Sequence, residues 1–134
     1  MTLTINKSID FEDEVRKAIK GFVTCYCDPL PPTLTLPSVE VRKIGGNDTN
    51  TIDTAMVMLY CRAEDEATAS DTLREAVGVL KEVCRQQTTA LRYATVNTGG
   101  AWGSDPVRPD LAMCSVTMMV YAHQNKTEVE SNEQ

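Results

Sequence analysis

A chain of 134 residues, 42% hydrophobic and 24% charged, has the length of one domain and the composition of a packed globule. That excludes a disulfide-stapled miniprotein, wholesale disorder and a fibrous repeat. Thirteen basic against nineteen acidic side chains leave a formal charge of −6, which argues against a protein that grips nucleic-acid phosphates over a broad basic surface.

The first periodic stretch runs from Asp10 to Thr24, where Phe11, Val15, Ile19 and Phe22 recur at helical spacing and Ala18 fills the same face. Asp10 is placed to cap it, and Glu12, Asp13 and Glu14 sit where the positive end of the helix dipole favours acids. The prolines from Asp28 to Pro37 remove backbone donors and fix φ repeatedly, so this stretch is expected to be a stiff extended connector. Ser38 to Ile44 alternates Val39 and Val41 with Glu40 and Arg42, a strand with one wet face. The cluster Gly45-Gly46-Asn47-Asp48 is expected to end that strand in a turn, and Ile52 to Arg62 resumes as the second arm of a hairpin. Met56, Met58 and Tyr60 fall on one face of this arm, and Ala55, Val57, Leu59 and Cys61 on the other. Apolar character on both faces implies that both are covered.

Between Asp65 and Gln87 the period changes to 3.6, with Leu73, Val77, Leu80 and Cys84 marking a helical stripe that Ala69, Ala76 and Val83 widen. Leu91 to Asn97 reads as a short strand. Thr98 to Pro106, which holds Gly99, Gly100, Trp102 and Asp105, reads as a loop. Leu111 to Ala122 alternates Cys114, Val116, Met118 and Val120 with Ser115, Thr117, Met119 and Tyr121 as the last strand. The acidic stretch from Gln124 to Gln134 is expected to be a flexible tail to a single domain spanning residues 1–123. The order α-β-β-α-β-β predicts an α+β fold: a mainly antiparallel four-stranded sheet with two helices on one face. Met56, Met58, Tyr60, Met119 and Tyr121 then form an apolar strip on the face without helices. Such strips mark interfaces, here between copies of the chain.

Chemical constellations are sparse. His123 is the sole histidine, and no Gly-x-Ser-x-Gly elbow exists to meet it. The five cysteines contain no Cys-x-x-Cys and read as reduced, buried thiols, although Cys25-Tyr26-Cys27 leaves a metal or redox pair open. Glu64-Asp65-Glu66 opens a helix, where acids serve as dipole partners without any ion. The glycine pairs fit no phosphate-binding pattern. No enzyme activity, metal or cofactor is therefore expected. The start at Met1 lacks a basic stretch ahead of an apolar run, and no apolar run reaches the roughly 18 residues a membrane helix needs, so neither leader nor membrane contact is expected. Trp102 stands out as the one tryptophan, set among glycines and flanked by Asp105, Arg108 and Asp110. It suits an interface anchor, or a ring folded back over the edge of the chain's own sheet.

Two stretches carry a family resemblance. Val39 to Leu80 runs strand, Gly45-Gly46, Asn50-Thr51-Ile52-Asp53-Thr54-Ala55, an alternating strand ending in Cys61-Arg62-Ala63, then a helix with Ala67, Ala69 and Leu73. Gly99-Gly100-Ala101-Trp102-Gly103-Ser104-Asp105-Pro106 leads into a second alternating strand. Together they resemble the tail terminator proteins of long-tailed bacteriophages, also called tail completion or head-to-tail joining proteins. The likeness covers Phe11 to Ala122 and departs from the family in the proline connector and the cysteines.

The resemblance implies a ring, typically of six copies, at the head-proximal end of the virion tail. It would cap the tail tube, stop its growth and meet the head completion or connector protein. Assembly would take place in the host cytoplasm, and DNA would pass the lumen without sequence-specific binding. A domain of this length has a diameter near ~36 Å, and six touching in a circle enclose a hole about one domain wide. The expected contacts with tube or connector are Gly45, Gly46, Asn47, Asp48 and Asn50 at the hairpin tip, with Gly99, Gly100, Trp102, Asp105 and Arg108 in the later loop. The methionine–tyrosine strip would join copies. The readings left beside it are another head–tail joint or tail-tube protein, and a small dimeric ligand-binding α+β module.

Overall fold

Two capped helices and one core organise the chain. The computed structural model describes residues 1–48, 52–105 and 108–132. Helix α1 covers Phe11–Ile19, and its Asp10 cap accepts a hydrogen bond from the Asp13 N–H at 3.2 Å. Helix α2 covers Glu66–Gln86, with Asp65 accepting from the Thr68 N–H at 2.7 Å and Gln87 closing it in the left-handed conformation. Each cap satisfies a first-turn donor that would otherwise lack a partner. The first helix is shorter than its periodicity predicts. It ends at Ile19, and Phe22, expected on its buried stripe, is exposed in the turn that follows.

The strands are β1 (Thr2–Lys7), β2 (Cys25–Cys27), β3 (Ser38–Asp48), β4 (Ile52–Ala63), β5 (Leu91–Ser104), β6 (Ala112–His123) and β7 (Asn125–Glu130). The fold is α+β, with two helices and a mostly antiparallel sheet. The predicted four strands are β3, β4, β6 and β5, but β2 adds a fifth, parallel to β3, giving the order β2-β3-β4-β6-β5. A separate two-stranded ribbon pairs β1 with β7. The four-stranded count failed because a three-residue strand and a pairing between opposite ends of the chain leave almost no local signature.

The stretch expected to be a flexible tail thus contains a strand. Leu3 lies opposite Val129 and Ile5 opposite Thr127, and the Thr2 hydroxyl donates to Glu130 Oε1 at 2.7 Å.

Both helices lie on one face of the five-stranded sheet and close a single core. Val15 and Ile19 of α1 and Leu80 and Cys84 of α2 meet Val39, Val41, Val57, Leu59, Leu91, Met118 and Val120, all essentially without solvent contact. Burying one such aliphatic side chain contributes about 1.5–3 kcal/mol, so this layer dominates the stability of the fold.

Two glycine clusters behave differently from their turn-like composition. Gly45, Gly46, Asn47 and Asp48 remain in β3, opposite Met56, Ala55, Thr54 and Asp53, with a bulge between Lys43 and Gly45 absorbing the extra residue. Gly46 is required where it stands, because a Cβ there would run into the Thr54 carbonyl oxygen. Gly99, Gly100 and Trp102 likewise belong to β5, whose register shifts twice between Val96 and Ala101. Both clusters were expected to be loops and instead are bulged strand, since glycine tolerates a bulge as readily as a turn. Asn50, the expected hairpin tip, lies outside the described residues.

Candidate functional site

The face of the sheet opposite the helices is the distinctive surface. Alternation along the two central strands places Met56, Met58, Tyr60 and Arg62 of β4 on it, beside Met119, Thr117, Ser115 and Met113 of β6 in direct register. Tyr121 stands opposite Thr54, and its ring meets Tyr93 of β5 at a centroid distance of 5.8 Å and a tilt of 44°. The Tyr60 hydroxyl donates to Met58 Sδ at 3.2 Å. The structure therefore brings the five predicted strip residues onto one face, each half-buried by its sheet neighbours. Neither helix layers over them.

One end of that face is covered, which the sequence did not suggest. Parallel neighbours β2 and β3 need a crossover between them, and the crossover is the proline connector. It bends over the sheet, so that Leu30, Pro31, Pro32 and Leu34 face Tyr60, Arg62 and Met113 across a cleft of about 640 Å³. The expected stiff link is also a partial lid.

Beneath it lies an ionic cluster. Arg62 donates from Nε to Asp105 Oδ2 at 2.6 Å and from a terminal nitrogen to Glu40 Oε1 at 2.9 Å. Arg42 donates to the other Glu40 oxygen at 2.7 Å. Glu40 is 2% exposed and Asp105 7%. Burial alone would favour loss of the Arg62 proton, but its hydrogen bonds to Asp105 and Glu40 outweigh this and hold the guanidinium above its usual range. Arg42 is also raised, by its hydrogen bond to Glu40.

Two acids and two guanidiniums cancel, so the cluster is a neutral anchor tying β3, β4 and the segment before β6 together. Asp105, expected as a loop contact, is thus an internal structural group. Arg108 is exposed and pairs with Asp110 at 3.1 Å. The alternation that marks Glu40 as wet would have pointed to the cluster only if the path of the connector had been known.

Trp102 sits elsewhere. It lies opposite Cys114, on the helix side of the sheet, at 52% exposure. With Leu73, Val77, Val96 and Val116 it lines a groove of about 420 Å³ between α2 and the outer strand β5. The two sets of expected tube or connector contacts are therefore separated across the fold. Gly45 to Asp48 belong to β3 next to β4, whereas Gly99 to Trp102 belong to the outermost strand.

All five cysteines are unpaired, and Cys27 is the least buried of them. Burial pushes the thiols of Cys25 and Cys61 up to about 12 and that of Cys84 to about 11, from an ordinary 9.0. Such thiols are poor metal ligands and poor nucleophiles. Among the described residues no group of three or more His, Cys, Asp or Glu is placed to hold a metal ion, and no helix is long and apolar enough to cross a membrane. No protein-family model matches the chain, and no curated protein matches it.

Proposed function

We propose that this protein is a tail terminator of a long-tailed bacteriophage: a structural ring, of six copies on the family resemblance, that caps the tail tube and joins it to the head connector. The observation carrying this reading is the strip of Met56, Met58, Met119 and Tyr121. It lies beyond the proline lid on a sheet face that the chain's own helices leave bare. Methionine and tyrosine suit such a surface, since the first adapts its shape and the second adds a large rigid contact with a polar tip. The acidic balance favours a lumen through which DNA slides, because phosphates find no broad basic lining. A closed ring also leaves no free patch of the kind that joined its members, so growth ends there.

Sedimentation of the purified chain at micromolar concentration, combined with negative-stain imaging, tests the proposal. Annuli support it, and a clean monomer refutes it. Met119→Lys should keep the fold and abolish the annuli.

A second reading, a dimeric ligand-binding module, draws on the cleft beside Arg62. It would be favoured by a stable dimer with a small molecule retained under the connector.

A further inference from the structure

The β1–β7 ribbon is amphipathic and, among the described residues, contributes none to the hydrophobic core. In an antiparallel pair, directly opposed residues share a face, so Leu3, Ile5, Thr127 and Val129 line one side, with Lys7 and Asn125 at its end. Thr2, Thr4, Asn6, Lys126, Glu128 and Glu130 line the other. Such alternation belongs to a sheet with one dry face. Yet among the described residues neither strand packs extensively on the helices or on the five-stranded sheet, and Leu3, Ile5 and Val129 are 52%, 38% and 43% exposed. A two-stranded ribbon alone is marginal in water and needs a third surface.

The body offers a matching receiver in the α2–β5 groove, where Val96 and Trp102 are exposed beside Leu73 and Val77. Arg74 stands on the same groove, joined to Asp71 by a long, exposed 3.5 Å contact.

The chain cannot fill its own groove. Counting along β6 and β7, Val116 lies nine residues before Asn125, about 30 Å at roughly 3.3 Å per residue. Val129 reaches only four residues, about 13 Å, beyond Asn125. Even Val96, level with Met118, is seven residues back, about 23 Å. The occupant must come from elsewhere.

We propose that the ribbon is a docking arm that lays Leu3, Ile5 and Val129 into the α2–β5 groove of a second copy of this chain. The idea deepens the ring reading and rests on it for the identity of the partner. A ring of more than two copies requires a contact between two different patches on each protomer. The open-face strip supplies apolar contact area, and closing a ring needs an unlike pairing in addition. A protruding arm and a distant concave acceptor supply the two unlike halves that a ring needs.

Trp102, the sole tryptophan, reports on the groove. With rising concentration of the full chain, its emission should shift to shorter wavelength as sedimentation mass grows. The variant Leu3→Ser/Ile5→Ser/Val129→Ser should lose both changes while keeping the far-UV circular dichroism of the body. Independently of that variant, copies carrying Val129→Cys mixed with copies carrying Val96→Cys should give an oxidised 129–96 cross-link. Only 129–129 pairs, or none, would overturn the docking.

Assembly of the serine variant to full mass with the wild-type emission shift overturns the arm and leaves the ring reading standing. An emission shift with the 129–96 cross-link in a species that stops at two copies supports the arm and removes the ring. A monomer of constant emission at every concentration removes both.

Discussion

Arg62→Met tests whether the ionic cluster anchors the open face. The substitution keeps most of the side-chain length but deletes the guanidinium that reaches Asp105 at 2.6 Å and Glu40 at 2.9 Å. Glu40 retains Arg42 at 2.7 Å, so the damage falls on Asp105 and on one Glu40 oxygen. Breaking a buried pair by removing one partner costs about 3–5 kcal/mol, and the surviving Arg42 contact places this case near the lower end, about 3 kcal/mol. Against a total stability of about 5–15 kcal/mol that is a large fraction.

For a domain of this length, each kcal/mol moves the melting temperature by about 3 °C, so Tm should fall by about 10 °C. With an m-value of about 2 kcal/mol/M, the urea midpoint should drop by about 1.5 M. Calorimetry and urea titration followed by circular dichroism measure both. The triple variant Glu40→Gln/Arg62→Met/Asp105→Asn should recover most of the loss, because neutral side chains no longer need the guanidinium to offset their desolvation. A loss under about 1 kcal/mol for Arg62→Met would refute the reasoning. It would mean that water or a rearranged connector readily replaces the guanidinium.

Gly78 is exposed within α2, and a Cβ there meets nothing within 4 Å. Gly78→Ala should therefore stabilise the protein by about 0.5–1 kcal/mol, read as a higher urea midpoint with unchanged slope. Gly46→Ala should do the opposite by forcing β3 away from the Thr54 carbonyl, at a cost of about 1–3 kcal/mol, seen in the same titration. The raised thiols of Cys25, Cys61 and Cys84 make the folded chain hold protons that the unfolded chain releases above 9.0. Stability contributed by these groups should therefore be unaffected below pH 9 and fall as pH rises from 9 towards 12, which thermal melts across that range will show. For the same reason, alkylation at pH 8 should leave these three unmodified in the native state and label all five cysteines in denaturant, counted by mass spectrometry.

Local chemistry made the helices and the long strands legible. Asp10 and Asp65 announce their helices because a cap acts within three residues. The alternation of Met56 to Arg62 and of Cys114 to Tyr121 assigns each side chain to a face, because successive residues on a strand point to opposite sides. The open-face strip was readable for that reason. The glycine clusters were misjudged because the same residue serves turns and bulges, and only the partner strand decides which forms.

By itself, the sequence determined which residues want water and which do not, and within which few residues each helix begins. Tertiary structure alone decided where the covers lie. Glu40 is buried between Arg42 and Arg62 at the floor of a cleft that the proline crossover also lines, and Val129 is a strand residue because Leu3, at the far end of the chain, comes to lie opposite. Periodicity and capping operate over a handful of bonds, whereas cover depends on which distant segments the closed loops bring together, and that information exists only once the whole chain has folded.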